Sequence, residues 1–331
     1  MVSRRRSNVW VAVLGVVLGL VLAFVASVGL YVLSIIRLRN YDDIGETIPL
    51  ETNLERLDVP DNMRAGMRIP VPNDKGIRTI LIIGSDTRDP KSHGRSDAMM
   101  LLTINDKTKS FHLTSLMRGI YVSIPDDPDP AYRPYWSSRY MLNAAHTWGG
   151  PRLLMKTIQR NFRVHVTQYV ATDFSGFKDA IDTVGGVTIH LSEKEAKHLR
   201  GKGFGALTAG DNLLDGEAAL AYARIRKIDS DFRRMERQRK VMLSLFDKMT
   251  KSNPAKLTES AKALMPCITT NMTDGEILGE IVNFYQYRTY SVDQLFLPLE
   301  TYDAKVTIRG MEMYDIDWEK NIRALHEFMR K

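Results

Sequence analysis

The feature that most constrains this 331-residue chain is an apolar run over residues 9–36, which holds two serines and no charged residue. A helix rises 1.5 Å per residue, so about 20 residues cross a hydrocarbon core of roughly 30 Å. Arg4, Arg5 and Arg6 precede the run, and the positive-inside bias keeps such a flank in the cytoplasm. The run therefore predicts a single-pass protein of the cell membrane. Residues 1–8 would be a cytoplasmic tail, residues 9–36 the transmembrane helix, and everything after them extracytoplasmic.

A cleaved signal peptide is the alternative interpretation of this run. Its apolar region is normally about 7–15 residues long and ends at a small-x-small site. The run at 9–36 is longer, and Ala-Phe-Val-Ala at 23–26 has the wrong spacing for such a site. We therefore expect a retained anchor.

The net charge, the cysteine content and the absence of common motifs limit the classes of partner and of activity that this chain can have. Lysine and arginine outnumber the acidic residues by 7, and the isoelectric point is near 9.3, which suits anionic partners such as lipid phosphates or wall polymers. Nucleic acid would suit this charge equally, but the predicted anchor argues against it. Cys267 is the only cysteine, so the chain forms no disulfide within itself. The sequence contains no HExxH, Gly-x-Ser-x-Gly or Walker motif, so the familiar hydrolase and nucleotide-binding classes gain no support.

Residues 37–76 are predicted to be an extracytoplasmic tether, because they contain four prolines and little helical periodicity. The catalytic domain is predicted over 77–331, starting with an apolar strand at 77–83. Two or three consecutive strands follow, and then helices and strands alternate. This order predicts an α/β (α+β) fold, with a central mixed β-sheet that carries helices on both faces.

Three charged groups stand where predicted strands begin or end. They are Gly-Ser-Asp-Thr-Arg at 84–88, Gly-Arg-Ser-Asp at 94–97, and Arg118. Ligands of open α/β sheets bind beyond strand ends, so these charges could meet at one site. Two aspartates and three arginines could hold a divalent cation together with a phosphate or pyrophosphate. Turn-forming aspartates and ordinary surface ion pairs are the alternative explanation.

A second basic cluster, at 224–240, contains Arg224, Arg226, Arg234 and Gln238. Arg234 and Gln238 are four residues apart and so lie on one helix face. Such clusters are usually solvated helix faces and sometimes nucleic-acid surfaces. No aromatic platform for bases is interleaved here, so nucleic acid is again not expected.

Together these motifs resemble the LytR–CpsA–Psr family. The motifs, in chain order, are 84–88, 94–97, Ser-x-x-Arg at 115–118, Leu-Asn-Ala-Ala…Gly-Gly at 142–150, Asp-Phe-x-Gly-Phe at 173–177, Gly-Gly-Val at 185–187, 214–226 and 231–238. The resemblance covers about 77–248 and the anchor. It implies an α/β/α-type domain that sheathes a lipid tail. It also implies Mg²⁺-dependent transfer of an anionic glycopolymer from a polyprenyl-pyrophosphate carrier to peptidoglycan at the cytoplasmic membrane.

The resemblance also implies roles for particular residues. Asp86 and Asp97 match the family's Mg²⁺ ligands. The residues that match its pyrophosphate contacts are Arg88, Arg95, Arg118, Arg224, Arg226, Arg234 and Gln238. Two positions depart from the family pattern: Gly119 stands where a carboxylate is common, and Met141 stands where a basic residue is common.

The expected reaction is a phosphoryl transfer. Arg118, Asp86 and Asp97 are the expected catalytic residues, because the chemistry needs positioning and charge stabilisation rather than a covalent protein nucleophile. Either aspartate could assist deprotonation of the acceptor. Apolar runs at 81–83, 99–102 and 169–170, with the helix at 235–249, could line a lipid tunnel or form ordinary core. A polyprenyl-pyrophosphate phosphatase and a non-catalytic lipid- or wall-binding regulator are the alternative functions.

Overall fold

The computed structural model describes residues 21, 23–24, 26–45, 48–49, 57–86, 93–226, 228–299 and 305–331. Its helices are α1 (described between residues 21 and 36), α2 (Asp61–Met67), α3 (Leu142–Phe162), α4 (Phe174–Thr183), α5 (Glu193–Arg200), α6 (Gly216–Ala223), α7 (Asp231–Thr250), α8 (Pro254–Leu264), α9 (Asp274–Tyr287) and α10 (Trp318–Arg330). Its strands are β1 (Asn40–Tyr41), β2 (Ile77–Ser85), β3 (Ser96–Asn105), β4 (Ser110–Leu116), β5 (Tyr121–Ser123), β6 (Arg139–Met141), β7 (Gln168–Thr172), β8 (Val187–Leu191), β9 (Gly210–Leu214), β10 (Thr269–Thr270), β11 (Ser291–Leu297), β12 (Lys305–Ile308) and β13 (Met311–Tyr314).

A seven-stranded mixed sheet organises the domain in the order β1-β10-β7-β2-β3-β4-β11. Strand β2 is parallel to β7 and antiparallel to β3, and β3 is antiparallel to β4. Strand β2 is covered on both faces: Leu81 and Ile83 belong to one core cluster, and Ile80 belongs to another. The prediction of a central mixed sheet within an α/β fold is confirmed.

Helices cover both faces of this sheet. On the first face, Leu154 of α3 and Trp318 of α10 belong to the main core with Leu81. On the second face, Phe246 of α7 and Ile277 of α9 belong to the cluster that contains Ile80. Residues of α4, α5, α6, α7 and the antiparallel pair β8–β9 form a third cluster.

Local sequence signals explain where several helices begin. Ser192 and Thr273 open α5 and α9 as capping boxes, and Asp215 accepts a hydrogen bond from the first turn of α6. Helix α3 is interrupted at Gly149 and Gly150, where the backbone leaves helical geometry. Gly150 has φ 62°, and a Cβ there would lie 2.9 Å from the ring of His93.

The predicted tether at 37–76 is wrong. Strand β1 pairs with β10, and Met63 and Met67 of α2 are each 1% exposed within the main core. Helix α2 packs so closely on α10 that a Cβ on Gly66 would lie 2.6 Å from the Cβ of Trp318. The folded domain therefore begins well before residue 77. The sequence did not indicate this, because a seven-residue helix has too few turns for its periodicity to show.

Half of the predicted transmembrane helix at 9–36 lies outside the described residues. The described residues between 21 and 36 are helical. Within the described ranges, no helix combines the length and the apolar character that a membrane crossing requires.

Candidate functional site

The first two predicted motifs meet where strand β2 ends and strand β3 begins. The amide of Asp86 donates to the carbonyl oxygen of Arg95 at 3.1 Å, and the amide of Arg95 donates to Asp86 Oδ1 at 2.7 Å. Next to this contact, Gly84 pairs with Ala98 while Ser85 pairs with Ser96. Asp97 is therefore the extra residue of a β-bulge, and a bulge re-aims the side chain that it carries.

Asp97 is the point where three segments meet. Its Oδ1 lies 3.1 Å from Arg118 Nη1 and 3.3 Å from Arg226 Nη2. The other terminal nitrogen of Arg118 lies 3.6 Å from Asp231 Oδ2. One charged cluster thus forms where three segments converge: the strand ends near Asp97 and Arg118, the segment after α6, and the first turn of α7.

The Leu-Asn-Ala-Ala motif holds the Arg118 loop in place. The amide of Leu142 donates to the carbonyl of Ile120 at 2.9 Å, and the amide of Asn143 donates to the carbonyl of Arg118 at 3.2 Å. The first amides of a helix have no partner within the helix, so the start of α3 is suited to bind these carbonyls. This motif therefore positions the Arg118 backbone.

Arg234 is the most buried member of the cluster, with 2% of its surface exposed. Its Nη1 lies 3.2 Å from Asp231 Oδ1, but neither Nη1 nor Nε has an acceptor in hydrogen-bond geometry among the described residues. Burial lowers the pKa of Arg234 to about 10; Asp231 opposes that change, and nearby Arg118 adds to it. Buried donors without partners are rare, and an anion at this position would satisfy them.

A cavity extends from Arg234 between the second face of the sheet and helices α4, α6 and α7. It holds about 670 Å³ of empty space, part of it open to solvent. The polar residues of its lining include Asp97, Arg224, Arg226, Arg234 and Gln238, and its apolar residues include Ile82, Met100, Leu220 and Met242. The guanidinium of Arg224 lies 4.4 Å from the ring centre of Phe174. A charged region thus adjoins an apolar interior.

Arg237 supports the segment that carries Arg224 and Arg226. Its side chain is 3% exposed. Its Nε donates to Glu195 Oε1 at 2.7 Å, and its Nη1 donates to the carbonyl of Ile225 and to Asp229 Oδ1, each at 3.1 Å. Arg237 lies within the basic cluster at 224–240 but is not among the site residues expected from the sequence. Arg237 lies one residue before Gln238 and therefore off the helix face that carries Arg234 and Gln238. This position in the sequence was the feature that could have indicated a supporting role.

Most of the predicted site residues come together. Arg118, Arg226, Arg234 and Asp97 are linked by contacts, directly or through Asp231, while Arg224 and Gln238 line the same cavity. Asp86 and Arg95 bind each other at the adjoining strand end. Arg88 lies outside the described residues. The described cluster holds five arginines and three aspartates, because Asp231, absent from the predicted set, joins it. The surplus is positive and suits an anion.

The carboxylates fit the predicted magnesium ion in number. Within the described ranges, no group of three or more histidine, cysteine or acidic side chains is arranged to hold a metal. Mg²⁺ is commonly bound by one or two carboxylates and completed by phosphate oxygens and water. Asp86 and Asp97 stand at adjoining strand ends, and each engages Oδ1 in the contacts above. Each carboxylate thus keeps Oδ2 outside these contacts.

Both departures from the family pattern line a wide, open cleft beside Arg118. Gly119 and Met141 both face this cleft, together with Trp148 and Tyr314. A Cβ on Gly119 would lie 3.5 Å from the Tyr314 ring, an ordinary contact, so the backbone would accept a side chain there. Arg139, the basic residue that precedes Met141 by two positions, has its side chain 4.0 Å from Asp58.

Comparison with known proteins is consistent with this geometry. The LytR_cpsA_psr family model matches residues 51–330. The polyisoprenyl-teichoic acid–peptidoglycan teichoic acid transferase TagV of Bacillus subtilis is 33% identical over 217 residues, which are 61% of this chain and 52% of TagV. The match thus spans about half of that relative. Regulatory protein MsrR of Staphylococcus aureus strain Mu50 is 29% identical over 265 residues, 78% of this chain and 76% of MsrR.

Solved structures share the fold. A structure described as TagT bound to LI-WTA superposes with a TM-score of 0.62 at 26% identity, and covers 77% of this chain and 91% of its own. A structure of YwtF (TagT) with bound octaprenyl pyrophosphate lipid superposes with a TM-score of 0.59 at 22% identity, and covers 88% of this chain and 98% of its own. At that identity the second likeness shows the fold alone.

Proposed function

Because the chain belongs to the LytR–CpsA–Psr family, we propose that it transfers an anionic glycopolymer from a polyprenyl-pyrophosphate carrier to peptidoglycan and releases polyprenyl phosphate. One observation carries the proposal. The buried Arg234, whose Nε and Nη1 lack acceptors among the described residues, lines the same cavity as the apolar Ile82 and Met242. A ligand that satisfies both regions has an anionic head and an apolar tail. TagV is named for this class of reaction, and one structure of the same fold holds octaprenyl pyrophosphate.

The proposed reaction is a displacement at phosphorus. A hydroxyl of the acceptor attacks the glycan-side phosphorus, the hydroxyl loses its proton, and a new P–O bond forms. The bridging P–O bond breaks, and its electron pair leaves on polyprenyl phosphate. Arg118, Arg226 and Arg234 would stabilise the charge that develops on the transferred and leaving oxygens. Donors fixed beforehand in a partly buried site are well suited to this task.

We propose that Asp86 and Asp97 hold a Mg²⁺ ion against the pyrophosphate. Such an ion would neutralise part of the negative charge on the phosphate oxygens. The protein itself fixes the carboxylates: the Arg95 amide binds Asp86, and two guanidiniums bind Asp97. Arg118 and Arg226 both pair with Asp97. Entry of the pyrophosphate would let these guanidiniums turn to phosphate oxygens and leave the carboxylate for the cation.

We propose further that residues 9–36 anchor the protein in the cytoplasmic membrane, with the N-terminus in the cytoplasm. Among the described residues of α1, Val21, Phe24 and Leu30 are 51%, 70% and 68% exposed. Contiguous exposed apolar side chains are unfavourable in water and favourable in lipid. A reporter fused after Lys331 would be active only if it functions outside the cytoplasm. Activity of a strictly cytoplasmic reporter at that position contradicts this topology.

The proposed function is tested with one donor and two conditions. A polyprenyl-pyrophosphate-linked glycan is incubated with the purified full chain, with and without peptidoglycan fragments. Formation of a glycan–peptidoglycan phosphodiester only when acceptor is present supports the proposal. Release of glycan phosphate in both conditions indicates a phosphatase. Binding of the donor without turnover indicates a regulator. Arg234→Met serves as the matched control, since it keeps the bulk of the side chain and removes the charge.

A further inference from the structure

One ridge of helix α7 leads away from the charged cluster. Arg234, Gln238, Met242 and Phe246 follow each other at intervals of four residues, which places them along a single ridge of the helix. The first three line the cavity, and Phe246 packs in the core cluster on the second face of the sheet. Twelve residues of helix span about 18 Å. The ridge is polar at its start and apolar afterwards.

The sheet offers a matching apolar row on the opposite side of the cavity. Ile82 pairs with Met100 and with Val170 in the neighbouring strands, and Ile80 pairs with Leu102 two residues further on. Ile82 and Met100 line the cavity, whereas Ile80, Leu102 and Val170 belong to the cluster that contains Phe246. The apolar interior of the cavity therefore continues along the sheet toward that cluster.

The end of α1 closes this row. Val32, Leu33 and Ile36 pack in the same cluster as Ile80 and Phe246. The N-terminal helix thus meets the far end of the apolar interior rather than hanging free of the domain.

Contacts beyond the apolar cluster fix this end of α1 to the domain. The Arg39 side chain is 4% exposed, donates to Asp274 Oδ1 at 2.7 Å, and donates to the carbonyl of Met272 at 3.0 Å. The ammonium of Lys262 lies 4.8 Å from the ring centre of Tyr31. Strand β1, which follows Arg39 directly, pairs with β10. The apolar end of the helix therefore has one defined position against the sheet.

From this arrangement we infer that α1 forms the membrane-side end of a continuous track for the prenyl chain of the donor, an inference that rests on the proposed function. The chain starts at the charged cluster, passes Met242 and Phe246, and reaches Leu33 on α1. Part of the 670 Å³ is open solvent, and the room for water-sized groups is only about 80 Å³, so a long prenyl chain must continue beyond the cavity. The direction that keeps the chain among apolar side chains leads to the helix that we propose to enter the bilayer.

The first test compares two donors that differ only in prenyl length, one farnesyl and one undecaprenyl, on the full chain in nanodiscs. Leu33→Glu places a charge at the far end of the track. The charge should prevent burial of the last prenyl units of the undecaprenyl donor. Each methylene that is no longer buried costs about a factor of four, so kcat/KM for this donor should fall by about tenfold or more. The farnesyl donor is too short to reach Leu33 and should be unaffected. Ser34→Glu is the matched control, since it adds the same charge on the exposed side of the same turn.

An unchanged ratio of kcat/KM between the two donors in Leu33→Glu would overturn the inference. Absence of transfer by the unmodified chain from either donor would instead contradict the proposed function. A second measurement uses the unmodified chain. It tests the inference even if no transfer is detected or if Leu33→Glu fails to fold. Undecaprenyl pyrophosphate with a diazirine at its far end should label Phe246 or the 32–36 segment, and excess unlabelled farnesyl pyrophosphate should suppress the label. Label confined to other surfaces, or label that resists this competition, would overturn the inference.

Discussion

Replacement of Asp231 by asparagine tests how the charged cluster is balanced. Asp231 is the carboxylate that pairs with both Arg118 and Arg234, and the Arg234 side chain is only 3% exposed. Removal of one partner of a fully buried ion pair costs about 3–5 kcal/mol. Asp231 is 30% exposed, and the new amide oxygen still accepts a hydrogen bond, so we expect about 2–3 kcal/mol. For a domain of this size, that loss lowers Tm by about 4–12 °C.

Inorganic pyrophosphate distinguishes an anion site from a purely structural ion pair. In Asp231→Asn, Arg118 and Arg234 lose the carboxylate that competes with an added anion. Pyrophosphate should therefore bind the variant more tightly and raise its Tm by more than it raises the Tm of the unmodified chain. Asp229→Asn is the matched control, because Asp229 pairs with the equally buried Arg237, which supports the 224–226 segment but is not among the residues proposed to bind the anion. It should lower Tm without any gain in the pyrophosphate response.

The measurement is thermal unfolding in a detergent micelle, at several pyrophosphate concentrations and constant ionic strength. An equal pyrophosphate response in Asp231→Asn and Asp229→Asn would show that Asp231 does not compete with the anion. An unchanged Tm in Asp231→Asn without pyrophosphate would refute the claim that Arg234 depends on this carboxylate.

Three further predictions follow from the same structure. Arg118→Ala should lower transfer by about 10²–10³, and combined with Asp97→Ala it should cost less than the product of the two separate losses, because paired residues act as a unit; transfer rates at several Mg²⁺ concentrations measure both effects. Burial lowers the pKa of His146 to about 4 from 6.5, so its contribution to stability is complete above pH 6.5 and is lost as pH falls toward 4. His146→Gln should flatten that acid dependence of unfolding by up to about 3 kcal/mol. A chain that starts at residue 73 lacks α2 and should melt without cooperativity, whereas one that starts at residue 37 should melt in one transition; calorimetry of the two compares them.

The proximity of Asp97 and Arg118 could be predicted, because residues at the same end of neighbouring strands lie close together. The role of Asp231 could not be predicted in the same way. It lies in a run of charges at 224–240, and such a run does not tell which guanidiniums are buried. Burial there depends on Glu195 and the β8–β9 unit, which are distant in sequence and contact α7 only in the folded chain.

The start of the domain could not be predicted for a related reason. Helix α2 has seven residues, and its buried side chains Met63 and Met67 are four apart, which gives a single repeat of a helical pattern. Their partner Trp318 lies about 250 residues later in the chain. Prolines around α2 indicated an irregular segment, and only tertiary packing shows that this segment belongs to the core.

The central claim is that Arg118, Arg226 and Arg234 bind a prenyl pyrophosphate whose tail enters the adjoining cavity. A crystal structure of the chain from residue 37 onward, grown with farnesyl pyrophosphate and Mg²⁺, tests it most directly. We expect phosphate density within hydrogen-bond distance of Arg234 Nε, with the prenyl group beside Met242. Pyrophosphate bound elsewhere, or a prenyl group that points away from the cavity between the sheet and α7, would contradict it.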